Sequence, residues 1–382
     1  MIVLGIESTA HTFGIGIVRD GKIIANVKNT YITQSGGIIP KEAAKHHHEV
    51  KEQIYSDALN KAGIEDSKSE DLGQSKSYKK LFDEKDIDAI AFSQGPGLAP
   101  CLLEGLKFAK ELAGRLKKPV VPVNHCISHL EIGKITGAKN SVMLYASGAN
   151  TQIIAYSANR YRIFGETLDL GVGNFIDTFA RFLGLGFPGG PAVQKLAEQG
   201  NRYIELPYVV KGMDISLSGI LTNLKNKIEK MNKLPAHSHS QINEKLLNKN
   251  FLTNNSKKSQ TSDSERDKYT LADLAYSMQE TVFAMLIETA ERALAHTGKK
   301  ELLLGGGVAC NTRLQEMAKI MCEERGAKLF CPTNEFLTDN GGMIAYTGEI
   351  LFNNGDYIKF EDIEKLDIAP RQRTDQVEIK YK

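Results

Sequence analysis

The sequence predicts an α/β protein built as two similar lobes facing one cleft. Two observations carry this. A chain of 382 residues is too long for most single cores, and its opening pattern returns in its middle. Met1 to Val18 reads as a short apolar strand, the polar turn Glu7-Ser8-Thr9-Ala10-His11-Thr12 and a second strand from Phe13; Asp20-Gly21 is a hairpin signal ahead of a third strand, Lys22 to Val27. The same grammar recurs from Val142 to Phe164, around Ser147-Gly148-Ala149-Asn150-Thr151 and a turn at Asn159-Arg160. Ser8 and Ser147, Ala10 and Ala149, Thr12 and Thr151, Ile15 and Ile154 fall at one constant offset, as a duplicated β-meander requires.

After the first meander, a Gly36-Gly37 turn precedes a helix begun by Pro40, apolar at helical spacing through Leu59 and stopped near Gly63. His46, His47 and His48 point in three directions from it, so they read as a solvated, partly packed run. Glu65 to Lys80 is polar and aperiodic, a surface insertion. Ile87 to Phe92 reads as a buried strand, followed by Ser93-Gln94-Gly95-Pro96-Gly97 and a helix from about Leu102 to Leu116. The apolar run Val120 to Val123 then hands over to a short helix carrying His125 and His129. At i and i+4 these project from one face, close enough to bind a single metal ion; read in isolation, the spacing equally describes two solvent-facing histidines. Cys126, one residue on, points away from that face and reads as a small core filler.

In the second half, Glu166 to Asp177 leads into a helix ending at Leu183 and the loop Gly184-Leu185-Gly186-Phe187-Pro188-Gly189-Gly190-Pro191. So many glycines around one helix leave backbone N–H groups free to approach an oxyanion. Lys233 to Lys268, rich in Asn, Ser, Lys and Gln, reads as a second insertion rather than a domain. Leu271 to His296 is a long amphipathic helix stopped at Gly298. Leu302-Leu303-Leu304 is a strand entering a Gly305-Gly306-Gly307 turn and, from Asn311, a helix, a sequence of elements suited to an adenine or ribose. Leu329 to Cys331 reads as a strand, and Thr338-Asp339-Asn340-Gly341-Gly342 precedes a helix from Met343 to Phe352. Asp339 stands where a helix N-cap belongs; as a hard oxygen ligand it could instead complete a His-His-Asp metal set.

Charge nearly cancels, with 48 basic against 46 acidic residues and a formal net charge of +2, so a nucleic-acid partner must be held by a local patch or by companion proteins. Five cysteines, odd in number and mostly within apolar segments, suit reduced thiols. Without a basic n-region or an apolar run long enough to span a bilayer, the chain reads as soluble and cytoplasmic, with no membrane partner.

Seven motifs in fixed order make the chain recognisable: Gly5-Ile6-Glu7-Ser8-Thr9, Gly37-Ile38-Ile39-Pro40, His125-Cys126-Ile127-Ser128-His129, Tyr145 to Thr151, Phe187-Pro188-Gly189-Gly190-Pro191, Gly306 to Asn311, and Thr338-Asp339-Asn340-Gly341. Together they resemble the universal tRNA threonylcarbamoyladenosine transferase family, closest to its archaeal and eukaryotic branch, the catalytic subunit of the KEOPS complex. The resemblance runs from Met1 to about Gly348. It implies a two-lobe fold of the actin-like, hexokinase-like and Hsp70-like (ASKHA) type. The expected lobes are 1–136 and 137–345, the latter carrying the insertion at about 233–268, with 346–382 a helix and tail packing back on the first lobe. It makes His125, His129 and Asp339 ligands of one divalent metal ion, iron or zinc, with Tyr145 near or on it. Tyr145, Ala146, Ser147, Gly148, Ala149, Asp177, Gly190, Gln194 and Asn311 would line the site for threonylcarbamoyl-AMP or ATP. Three positions depart from the family pattern: Lys41 replaces a common Arg, Gln194 an acidic ribose partner, and Leu217 a usual Phe. Lysine lacks the guanidinium fork, and Gln keeps a hydrogen bond but no charge.

The activity so implied is transfer of threonylcarbamoyl from its adenylate to the amine of adenosine 37 in tRNAs reading codons that start with adenine, with partners that include tRNA and a small kinase-like KEOPS subunit. Two other functions fit parts of the pattern. A metallopeptidase would use the same histidine pair, but the zincin pattern puts a Glu where Cys126 stands. A nucleotide-gated ATP-binding chaperone or scaffold would share the fold, because fold does not fix function.

Overall fold

The computed structural model describes residues 1–33, 37–63, 84–232 and 269–381. Both polar stretches read as insertions, Glu65 to Lys80 and Lys233 to Lys268, lie outside the described residues. The meander β1 (Ile2–Glu7), β2 (Thr12–Arg19) and β3 (Lys22–Thr30) forms one half of a five-stranded sheet. On the other side of β1, β4 (Ala89–Gly95) and β5 (Val120–Asn124) run parallel to it, giving the order β3-β2-β1-β4-β5. The second sheet repeats the plan. Its meander is β6 (Val142–Ala146), β7 (Thr151–Ser157) and β8 (Arg160–Glu166). A two-stranded ribbon, β9 (Val210–Lys211) and β10 (Asp214–Ile215), comes next in the chain. Then β11 (Glu301–Gly305) and β12 (Lys328–Phe330) add in parallel, for the order β12-β11-β6-β7-β8. β2 begins at Thr12 and β7 at Thr151, the offset seen in the sequence, so the duplication is structural. This is the two-lobe α/β architecture of the actin, hexokinase and Hsp70 type.

Strands covered on both faces read as continuous apolar runs, and β1, β4 and β6 are of this kind. One face of the first sheet is covered by α1 (Pro40–Gly63) and α2 (Ala99–Leu116): Ile54, Tyr55, Ala58, Phe108 and Leu112 bury against Leu4, Ile6, Phe13 and Ile15. The second sheet packs against α4 (Val172–Phe182), α5 (Gly190–Ala197), α6 (Ser218–Asn232), α7 (Leu271–Thr297) and α8 (Thr312–Glu324) around Phe175, Phe179, Leu224, Phe283 and Leu302.

The two remaining sheet faces are covered by exchanged helices, and this exchange builds the cleft. α3 (His125–Ile132) follows the first sheet, yet its Cys126, Ile127 and Leu130 pack with Met143, Tyr145, Ile154 and Leu303 of the second. After the single turn α9 (Asn334–Leu337), α10 (Gly341–Asn353) leaves the second sheet and lays Met343 and Ile344 on Val3, Ala89, Ala91, Val121 and Val123 of the first. α10 approaches that sheet so closely that a Cβ on Gly16 would stand 2.2 Å from the Gly342 nitrogen, and one on Gly5 would stand 2.1 Å from that of Ala345. Only glycine permits the contact. Beyond α10 the chain buries Ile363 and Leu366 in the first core, donates Ala369 N–H to Gln94 O at 2.8 Å, and packs Val377, Ile379 and Tyr381 beside α3.

Candidate metal centre

The parallel strands of both sheets point their carboxyl ends at one crevice, where ligand-binding loops of open α/β sheets gather. Glu7 ends β1, His125 follows β5, Ser147 follows β6 and Gly306 follows β11. Asn124 caps α3 by accepting from Ile127 N–H at 3.1 Å, which fixes the first turn carrying His125. Opposite it, α10 is capped by Asn340, whose Oδ1 accepts from Met343 N–H at 2.9 Å. The cap is therefore one residue beyond Asp339, correcting the expectation that Asp339 occupies it. With Asn340 capping, the Asp339 carboxylate is released toward α3.

His125, His129 and Asp339 form the cluster that the sequence pointed to. The Nε2 atoms of His125 and His129 lie 3.4 and 3.5 Å from one oxygen, Oδ1 of Asp339, and the two rings stand at 83° with centroids 4.9 Å apart. With metal bonds of about 2.0–2.1 Å, tetrahedral ligand atoms lie about 3.4 Å from one another, so these separations suit one cation. Neither histidine faces solvent: His125 is 5% and His129 2% exposed, against the solvent-facing alternative. Both ring nitrogens of His129 are buried without a hydrogen bond, and a cation on Nε2 would meet the need of that one. None of His46, His47 and His48 joins the cluster. His47 is buried against Phe13, where burial pushes its pKa down to about 4.

Behind His125 stands Glu7, which is fully buried. Its Oε2 is 3.0 Å from His125 Nδ1, while Oε1 accepts from Thr9 N–H at 2.8 Å and the Thr9 hydroxyl at 2.5 Å. A carboxylate on the far nitrogen fixes the tautomer and orientation of a ligating histidine. Burial alone would depress the His125 pKa, but Glu7 and Asp339 outweigh it and hold the imidazole well above its ordinary value. At Asp339 burial is likewise overcome, here by His125 and His129, and the carboxyl is held well below its usual range. His129 is lowered by its burial. Tyr145, 1% exposed, lies 5.1 Å ring to ring from His129, and burial pushes its phenol well above the ordinary value. Glu7 lies within the Gly5-Ile6-Glu7-Ser8-Thr9 motif, but a lone carboxylate ending a strand looks like a surface turn, and nothing local in the sequence marks it as a site residue.

The residues expected around an adenylate lie at the end of β6, on α4 and α5, and at the start of α8. Ser147 folds a turn through its N–H and hydroxyl, both donated to Asn150 O, while the exposed Gly148 and Ala149 form its tip. Gly306, at φ 87°, lies against Ala146, whose carbonyl would be 2.4 Å from any Cβ there. The expectation of free glycine N–H groups is corrected in part: Gly173 and Asn174 N–H are taken by the Ser147 and Gly148 carbonyls, and Gly189 N–H by Asp177 Oδ1 at 2.8 Å. Burial raises the Asp177 pKa. Gly190 opens α5, and Gln194 on the same helix donates to the Thr312 hydroxyl at 3.0 Å. Asn311 is the N-cap of α8, accepting from Arg313 N–H at 2.9 Å and donating to Gln279 at 3.0 Å. Of the departures, Lys41 is exposed and Leu217 is fully buried in the second core. No helix among the described residues is long and apolar enough to cross a membrane.

A model of the family described as tRNA N6-adenosine threonylcarbamoyltransferase (TsaD) matches residues 79–346. A protein of that name from Thermococcus sibiricus is 48% identical over 381 residues, covering 100% of each chain. A probable bifunctional tRNA threonylcarbamoyladenosine biosynthesis protein from Methanosarcina mazei is 44% identical over 99% of this chain and 59% of its own. Among solved structures, HypF of T. kodakarensis shares the fold with a TM-score of 0.56 at 14% identity, covering 96% of this chain and 49% of HypF. With a family model matching residues 79–346 and an identity of 48% over the full length of a relative, the chain belongs to the tRNA N6-adenosine threonylcarbamoyltransferase family.

Proposed function

We propose that the chain transfers a threonylcarbamoyl group from threonylcarbamoyl-AMP to the N6 amine of adenosine 37 in tRNAs reading codons that start with adenine. A C–N bond forms as the bond from the carbonyl to the AMP oxygen breaks, and the amine gives up one proton. The observation that carries this reading is the buried His125–His129–Asp339 cluster, backed by Glu7, opening beside the Ser147 turn in a chain whose full-length relatives are named for this transfer.

His125, His129 and Asp339 would hold one divalent cation, with Tyr145 alongside; two imidazoles and a carboxylate suit iron and zinc alike. When bound, the cation supplies electrostatic stabilisation to the anionic groups of the donor. Glu7 keeps the His125 lone pair on Nε2, and the buried Tyr145 phenol keeps its proton unless a cation displaces it. On the far wall Ser147, Gly148 and Ala149 would meet the phosphate, with the fully buried Ala146 supporting their turn from beneath, and Asp177, Gly190, Gln194 and Asn311 would meet the nucleoside. Gln194 offers a hydrogen bond where a carboxylate would add charge, so selectivity for the ribose rests on geometry. The substrate tRNA is held with KEOPS-type partners that include a small kinase-like subunit; the bifunctional Methanosarcina mazei relative, which carries further sequence on one polypeptide, supports this. The chaperone and peptidase alternatives are not favoured, because the full-length relatives are transferases and Cys126, in the position of a peptidase base, is buried.

The test is formation of threonylcarbamoyladenosine on unmodified tRNA by the purified complex, read by mass spectrometry of digested nucleosides. His129→Ala and Asp339→Ala should each lower the rate by more than about 100-fold. Because His129 is buried, its truncation also costs about 2 kcal/mol of stability, so thermal melts accompany the assay. Wild-type rates in either variant would contradict the reading.

A further inference from the structure

The ligand Asp339 sits on a three-residue connection between α9 and α10, and the first lobe grips that connection through two side chains of its edge strand. Lys28 and Asn26 are two residues apart on β3 and so share a face. The Lys28 ammonium donates to the Thr338 hydroxyl and, at 3.1 Å, to the Asp339 backbone carbonyl. Asn26 accepts from Gly342 N–H at 3.1 Å and donates to Glu335 at 3.0 Å. The two side chains thus bracket Asp339 on both sides of the chain, from residue 335 to residue 342. The connection's own bonds reach only the two flanking helices: Thr338 donates through its hydroxyl and its N–H to Asn334 O of α9, while Asn340 donates to Thr338 O and accepts from Met343 N–H of α10. Holding the Asp339 backbone by its carbonyl leaves Oδ1 free to lie between the two histidine nitrogens.

We infer that Lys28, assisted by Asn26, is a positioning residue that sets the aspartate ligand of the metal centre. This rests on the metal reading of the cluster. Lysine suits the task because its four-carbon stem reaches across from the sheet edge and its ammonium offers more than one donor, used here on the Thr338 hydroxyl and the Asp339 carbonyl. A group that orients a metal ligand typically changes metal affinity by 10–100-fold when removed.

The experiment titrates metal-free full-length protein with Co(II), following visible absorption, and records a thermal melt of each metal-free variant. Wild type should bind about one equivalent and His129→Ala should lose it. Lys28→Met, which keeps the stem and removes the ammonium, should weaken Co(II) binding about 10–100-fold and alter the absorption envelope, with the metal-free melt close to wild type. Lys22→Met, exposed on the same strand, should leave all three readouts unchanged. Wild-type affinity and spectrum in folded Lys28→Met would overturn the inference alone. No Co(II) binding by wild type would overturn the metal centre and this inference with it. Should Lys28→Met fail to fold, Asn26→Ala removes the other half of the grip, and wild-type Co(II) binding there would count against the inference.

Discussion

Glu7 contributes no ligand atom to the cluster, yet it sets the charge and orientation of one that does. Glu7→Gln keeps the size and an acceptor oxygen but removes the charge facing His125 Nδ1. Metal affinity, measured by competition with a chelator, should fall about 10–100-fold, and unchanged affinity would exclude Glu7 from the site. His47 makes a prediction of the opposite kind, about stability. Folded, it stays neutral until about pH 4 because it is buried, whereas in the unfolded chain it takes a proton near pH 6.5. A buried base with a lowered pKa contributes its full stability above the unfolded value and loses it as pH falls from about 6.5 toward 4. At about 1.4 kcal/mol per pH unit this amounts to at most about 3 kcal/mol. Urea melts of wild type and His47→Gln should therefore diverge over that window; parallel profiles would show that His47 is not the group responsible.

At the scale of elements, the exchanged helices α3 and α10 decide where the ligands meet. Gly16 is the contact to break: a Cβ there would lie 2.2 Å from Gly342 N and 2.4 Å from Gly341 C, both backbone atoms at the start of α10. Gly16→Ala should cost about 3 kcal/mol or more and weaken metal binding by shifting Asp339. Gly114→Ala, on α2 with nothing within 4 Å of its Cβ, should instead be neutral or stabilising by up to about 1 kcal/mol. Paired melts and metal titrations separate the two outcomes, and a Gly16→Ala protein as stable as wild type would remove the close contact from the explanation. The elements themselves were legible in the sequence: Pro40, Gly63 and Gly298 mark helix ends through backbone chemistry that is local. Which sheet α3 would cover was not, because an apolar helix face carries no address. The one-residue error at Asp339 has a similar cause, since Asp and Asn cap equally well and only the geometry of α10 chooses Asn340.

For the whole molecule, the duplicated meander was readable because it repeats at one offset, and the two five-stranded sheets follow that repeat. Burial of His125 and His129 was not readable, since spacing i and i+4 shows a shared face without showing what lies over it. Glu7 and Lys28 escaped for the same reason: each reaches the centre only when sequence-distant strands converge. The near-balanced charge has a consequence at this scale too. Few phosphates can be neutralised at once, so the isolated chain should bind tRNA weakly and with a shallow dependence on salt. Titrations at two salt concentrations, with and without partner subunits, test this, and tight, steeply salt-dependent binding by the chain alone would contradict it. The most direct test of the central claim is threonylcarbamoyladenosine formation by the wild-type complex stripped of metal and then supplied with Fe(II) or Zn(II). Activity should vanish on stripping and return at about one metal per chain, the capacity of a single three-ligand site; full activity in the metal-free complex would contradict the assignment of His125, His129 and Asp339.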